Sequence, residues 1–235
     1  MNQGELFEEN EPQEFNAPSD LSALYELSIE AYYAALYAQM SELPIQKEIS
    51  RFVEKIKNVT SSFAKGKVGG SKPGEDRDAA TKAATDRGDP DVIAVQKAAG
   101  KVGHEIHRLT GLLRFSPESD GVYTARCAPD HFILPALAEH FTLRFGETPW
   151  AIIDEKRGLC LCRKNGSEAR LISWSPALSA DSGPQEATSE KSQTDSWEDL
   201  WRLYHRSINN EGRKNPRLQR QLMPERYRKY LTELS

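Results

Sequence analysis

The sequence predicts an α+β fold: a helical N-terminal half, a small mainly antiparallel sheet with one packed helix, and a helical C-terminus. Three observations lead there. Apolar residues recur three and four apart from Leu21 to Val59 and again from Val92 to Leu109, then alternate in short runs between Val122 and Trp174. Helical spacing returns after Asp195.

Taken in order, residues 1–19 read as a disordered acidic tail. Residues 1–20 carry six acids (Glu5, Glu8, Glu9, Glu11, Glu14, Asp20) and no base. Residues 20–103 form a helical region. From Leu21, "LSALYELSIEAYYAALYAQM" follows a cap at Ser19 or Asp20 and keeps helical spacing throughout. A second helix, about Ile45 to Val59, places Ile45, Ile49, Phe52, Val53 and Ile56 on one side. Gly, Lys and Asp crowd the aperiodic stretch after it, so a flexible loop with one short helix at most is expected over about 60–88. Asp89 then caps a helix with Pro90 at its first position, running to about Leu109. Its buried stripe is Val92, Val95, Ala99, Val102, Ile106 and Leu109.

Residues 104–175 are expected to hold the α+β core. Strands Gly111–Phe115 and Val122–Cys127 flank the turn-like "SPESDG". The stretch "PDHFILPALAEHFTLRFG" is a helix with Ile133, Leu137 and Phe141 in register, stopped by Gly146. Three short strands, "PWAIID", "GLCLCR" and "ARLISW", form a meander. The Ser/Pro/Gly-rich residues 176–194 read as a mobile loop. Residues 195–235 form a basic helical segment. Asp195 is its cap, with Glu198 three residues on, and Trp197, Leu200, Trp201, Tyr204 and Ile208 make its apolar face.

Composition bounds the class. No apolar run approaches membrane-spanning length and the N-terminus is acidic, so no signal peptide is expected and the address is the cytoplasm. Three cysteines, an odd number, argue against a disulfide framework. Cys160 and Cys162 alternate with Leu159 and Leu161, which points both thiols to one face of a strand as small core residues. The net charge of −4 is unevenly spread: without the six N-terminal acids, 31 Lys and Arg face 29 Asp and Glu. Eight bases against two acids lie between His205 and Tyr230, an asymmetry that suits a polyanionic partner or a solvated surface.

Two basic stripes are the candidate binding residues. On the Pro90 helix, Lys97, Lys101, His104 and Arg108 are spaced four, three and four apart, a line that meets water or phosphate. On the terminal helix, Arg202, Arg206, Asn209 and Arg213 repeat the pattern, continued by Lys214, Arg217 and Arg220. His107 lies at the edge of the apolar stripe, on a flank shared with Gln96, Gly100 and Gly103. Glycine costs a helix about 1 kcal/mol relative to alanine, so two on one flank suggest a close approach by backbone or ligand. No metal is expected, because the histidines of "HEIH" are three apart and no third ligand is evident. Residue chemistry assigns no catalytic role; His107 and His131 are the candidates.

The blocks "DVIAVQKAAGKVGHEIHRLTGLLRF", "CAPDHFILPALAEHFTLRFGETPWAIIDEKRG" and "WEDLWRLYHRSINNEGRKNPRLQRQLMPERYRKYLTEL" resemble the bacterial family labelled "probable DNA metabolism protein". That domain of unknown function occurs beside a radical-SAM protein similar to spore photoproduct lyase, or fused to a uracil-DNA-glycosylase-like domain. The motif positions include Glu105, His107, Arg108 and Arg114 in the first block, and Asp130 and His131 in the second. Trp201, Tyr204 and Arg213 are among those in the third. This sequence departs from the pattern at Arg228, where an aromatic is usual, and carries no glycosylase domain.

The resemblance implies an accessory role in DNA repair or modification, with DNA, a radical-SAM protein or both as partners and Arg114 added to the nucleic-acid contacts. No cofactor is expected on this chain, since three scattered cysteines cannot hold an iron–sulfur cluster that usually takes four. Two alternatives stand beside it. One is an enzyme acting on a nucleotide or damaged base through His107 and His131. The other is a protein-interaction adaptor, which would show dispersed basic stripes and an exposed apolar patch. Oligomeric state is not legible.

Overall fold

The protein, a computed structural model, is described over residues 19–66, 74–118, 121–175, 193–208 and 210–231. The expected acidic tail, the Ser/Pro-rich loop up to residue 192 and Asn209 lie outside those residues. Two compact units make up the chain, one formed by residues up to 106 together with Asp130–Ile133, the other by His107–Pro129 and the chain from Leu134 on.

The helical unit contains α1 (Ser19–Leu27), α2 (Ile29–Gln39), α3 (Gln46–Gly66), α4 (Glu75–Ala84) and most of α5 (Pro90–Leu112). The single helix expected from Leu21 is broken at Ser28. This residue is extended, and its hydroxyl accepts from the Ala31 amide at 3.2 Å, a serine cap that starts α2 afresh. Buried alanines of α2 (Ala31, Ala34, Ala35, Ala38) share one hydrophobic core with Phe52 and Ile56 of α3 and with Val92 and Val95 of α5. Within the 60–88 stretch, α3 runs to Gly66 and one short helix, α4, occupies Glu75–Ala84. Acids in the first turn of α4 and Lys82 in its last complement the helix dipole, and Ala80 and Ala84 are fully buried.

Asp89 caps α5 as the sequence indicates, accepting from the amides of Asp91 (2.8 Å) and Val92 (3.1 Å). The same carboxylate takes a 2.6 Å bond from Lys55, and Asp91 is gripped by Arg51 through Nε and Nη2. Lys55 holds the Asp89 carboxyl below its ordinary range, with the cap amides adding to the effect, and Arg51 does the same for Asp91. A depressed carboxyl contributes stability above its unfolded pKa and loses it as pH falls through the folded one. Lys55→Ala is therefore expected to be less stable than the parent at pH 7, with the gap closing in acid below the usual carboxylate range. Urea unfolding at the two pH values checks this.

The second unit is a five-stranded sheet in sequential order: β1 (Ser116–Pro117), β2 (Tyr123–Cys127), β3 (Trp150–Asp154), β4 (Leu159–Arg163) and β5 (Arg170–Ser173). Its pairings are antiparallel except β2 with β3, which run parallel with α6 (Leu134–Phe145) as the crossover. The expected strand at Gly111–Phe115 is instead the end of α5. Leu109 and Leu113 are both buried and continue the four-residue spacing, so the segment stays helical to Leu112 and only Ser116–Pro117 pair. Leu137 and Phe141 of α6 are fully buried, and Phe141 lies 6.2 Å from the buried Trp150. Cys160 and Cys162 share one sheet face with Ala151, Ile153 and Ile172, as the alternation indicates. The hydrogen bond to Cys162, together with burial, pushes the Cys160 thiol up.

The chain ends in α7 (Gln193–Ile208), a 3-10 turn (Glu211–Arg213), α8 (Pro216–Leu222) and α9 (Glu225–Arg228). Helix α7 starts at Gln193, ahead of the expected cap Asp195. Asn215 caps α8 by accepting from the Leu218 amide at 3.0 Å, with Pro216 at the first position. Tyr227 and Leu231 are buried, anchoring the chain end in the second unit.

Candidate nucleic-acid interface

The C-terminal arm, α7 through α8, carries six bases between Leu200 and Leu222 against the single acid Glu211. Arg206, Arg213, Lys214, Arg217 and Arg220 are all exposed. Arg202 is half-buried and pairs with Asp199 at 3.1 Å, which removes it from the outward set. Helix α7 turns its apolar side outward: Leu200, Leu203, Tyr204 and Ile208 are each more than half exposed, while His205 is half-buried. An apolar face on a terminal helix ordinarily packs on a core, so this is the main departure from expectation.

Trp201 is held in this surface. The Arg114 guanidinium lies 5.4 Å from its ring centroid and Tyr204 lies 5.8 Å away, tilted by 36°. Arg114 is itself tethered at the end of α5, its Nη1 donating to the Gly111 carbonyl at 2.9 Å. Trp201 nonetheless keeps 40% of its surface exposed. The arrangement is a pair of exposed aromatic rings backed by one guanidinium.

On α5, Lys97, Lys101 and His104 are exposed and Arg108 half-buried. His107 is exposed as well, and its flank is open: a Cβ at Gly100 would meet nothing within 4 Å, and one at Gly103 would only touch the Tyr37 ring at 3.7 Å. Among the described residues, no backbone approaches that flank closely. The buried member of "HEIH" is Glu105, 2% exposed, which accepts from the amides of Asp130 (2.7 Å) and His131 (2.8 Å). The motif therefore meets "CAPDH" through its carboxylate. His131 in turn accepts the Glu42 amide at Nδ1 (3.3 Å), and Phe132 donates to the Met40 carbonyl.

At the far end of β3, Asp154 is fully buried and accepts from the amides of Lys156 and Arg157 and from Arg157 Nη1 at 2.8 Å. Arg157 also donates to the Pro129 carbonyl. Beside it Glu155 takes a 2.6 Å bond from the Tyr230 hydroxyl and lies near Lys229 and Arg126, and the Tyr230 bond above all lowers its pKa. Both groups pin loops. Among the described residues, no group of three His, Cys, Asp or Glu side chains is placed to hold a metal ion, and no helix is long and apolar enough to cross a membrane.

Sequence reasoning assigned Trp201 and Tyr204 to an apolar face and missed them as surface groups. The one available signal was their setting, an aromatic pair inside the most basic segment of the chain. A family model described as a domain of unknown function, DUF4130, matches residues 76–233. No curated protein and no solved structure matches.

Proposed function

The chain belongs to the DUF4130 family, and from that premise we propose that it is an accessory protein in DNA repair or modification that binds DNA through its C-terminal arm. One observation carries the reading: exposed arginines and a lysine share the same arm with exposed aromatic rings. Arginine forks match phosphate oxygens and supply sequence-independent affinity. Lys97, Lys101 and His104 on α5 are proposed as further phosphate contacts.

Such binding weakens steeply with salt. Each phosphate contact removed is expected to flatten the slope of log affinity against log salt by about one. Arg206→Glu and Arg213→Glu should each do so, measured by fluorescence anisotropy on a labelled oligonucleotide. Affinity indifferent to salt, or unchanged in both variants, counts against the proposal.

A second reading is favoured by the outward apolar side of α7. Leu200, Leu203 and Ile208 suit a protein partner, and the radical-SAM protein implied by the family resemblance is the one to test. Leu203→Glu would abolish its co-purification and leave binding to DNA in place.

A further inference from the structure

We propose that the arm's ligand is single-stranded DNA, whose unpaired bases stack on Trp201 and Tyr204 while Arg206, Arg213 and Arg217 hold the phosphates. This inference rests on the DNA-binding reading above and specifies which form of DNA the arm takes.

The argument starts from what an exposed ring can gain. In a duplex each base already stacks on its neighbours, so an aromatic side chain on the surface meets only the sugar–phosphate rails. An unpaired base exposes both faces of its ring, and stacking it on indole or phenol removes apolar area from water on both sides. The arm presents two such rings 5.8 Å apart, and they are not symmetrical. Trp201 is backed by Arg114, which is tethered to the Gly111 carbonyl, so part of its ordering cost is met before any ligand arrives. Tyr204 is 53% exposed and lies one helical turn along the same side of α7.

Charge selects the ligand. An apolar helix side alone would suit a protein, but here six bases against one acid between Leu200 and Leu222 favour a polyanion. Arg206 extends from the same helix, and Arg213 and Arg217 continue past it through the 3-10 turn into α8, all exposed. A strand following the arm would meet rings on one stretch and cations on the next, the combination that sequence-tolerant single-strand binders use.

The test uses the full chain with three labelled probes of equal length: oligothymidylate, oligouridylate and a DNA duplex. Anisotropy is read for the parent protein and for Trp201→Ala, Tyr204→Ala, Trp201→Phe and Arg213→Glu, with circular dichroism to verify folding. Oligothymidylate should bind tightest. Each alanine variant should weaken it by about tenfold or more and leave duplex binding unchanged, while Trp201→Phe retains most of the affinity. Arg213→Glu should weaken all three probes.

Equal affinity for oligothymidylate and duplex, with no effect of the alanine variants, overturns the single-strand inference and leaves the DNA-binding reading standing. Tighter binding of oligouridylate overturns the assignment to DNA. Failure of every probe to bind overturns both. A parent protein that sediments as a dimer, and as a monomer in Trp201→Ala, makes this face an interface between copies and also overturns the inference.

Discussion

Glu105→Ala is expected to destabilise the helical unit by about 2–4 kcal/mol, since two part-buried amides lose their acceptor together. The carboxylate is 2% exposed, and its two oxygens each take one amide of the Asp130–His131 segment. That segment reaches no regular element of its own. It is held by Glu105 on one side and by the Met40 carbonyl and Glu42 amide on the other. Removing the carboxylate takes the shared acceptor from both amides at once. Glu105→Gln should cost less than alanine but remain measurable, because one carboxamide end can accept and the other would meet an N–H with an N–H. Urea unfolding gives the magnitude, and amide hydrogen exchange should show Asp130 and His131 losing protection together. His104→Ala and His107→Ala, both at exposed positions, should stay within about 0.5 kcal/mol of the parent. A His107→Ala variant as unstable as Glu105→Ala would refute this account of the motif.

The second large effect is expected at Asp154. Asp154→Ala removes a fully buried carboxylate from an Arg157 guanidinium whose side chain is only 13% exposed, and breaking a buried pair from one side costs about 3–5 kcal/mol. The amides of Lys156 and Arg157 lose their acceptor in the same step. Arg157 would keep its bond to the Pro129 carbonyl, but as an incompletely compensated charge at the end of β3. The double variant Asp154→Ala/Arg157→Ala should cost less than the sum of the two single variants, because the stranded charge goes with its partner. Additive costs would show that the pair is uncoupled. The parallel pairing of β2 and β3 ends at this point, Cys127 opposite Asp154, so the same clamp joins the loops leaving both strands.

Much of the fold was readable from residue order because the signals involved are local. The cap at Asp89 and Pro90, the α5 stripe through Val102 and the stop at Gly146 each depend on a few neighbouring residues, and each stands where the sequence places it. The alternation of Cys160 and Cys162 correctly put both on one sheet face. Where local signals compete, the reading failed. Ser28 can sit within a helix or cap a new one, and its extended conformation and bond to the Ala31 amide select the cap. "GLLRF" suits a strand by composition, yet burial of Leu109 and Leu113 carries the helix through it to Leu112.

The site divides in the same way. Residue order alone determined which side chains share a helix side: the bases of α5, and the arginines and the apolar residues of α7. Only tertiary structure decided what each side meets, because periodicity carries no information on whether another element covers it. Glu105 became the buried anchor through amides that lie 25 and 26 residues further along the chain. His107, better placed by pattern, was left in water. Trp201 and Tyr204 form an ordinary core-facing pair by spacing, yet both rings are exposed, with the Arg114 guanidinium 5.4 Å from the indole centroid.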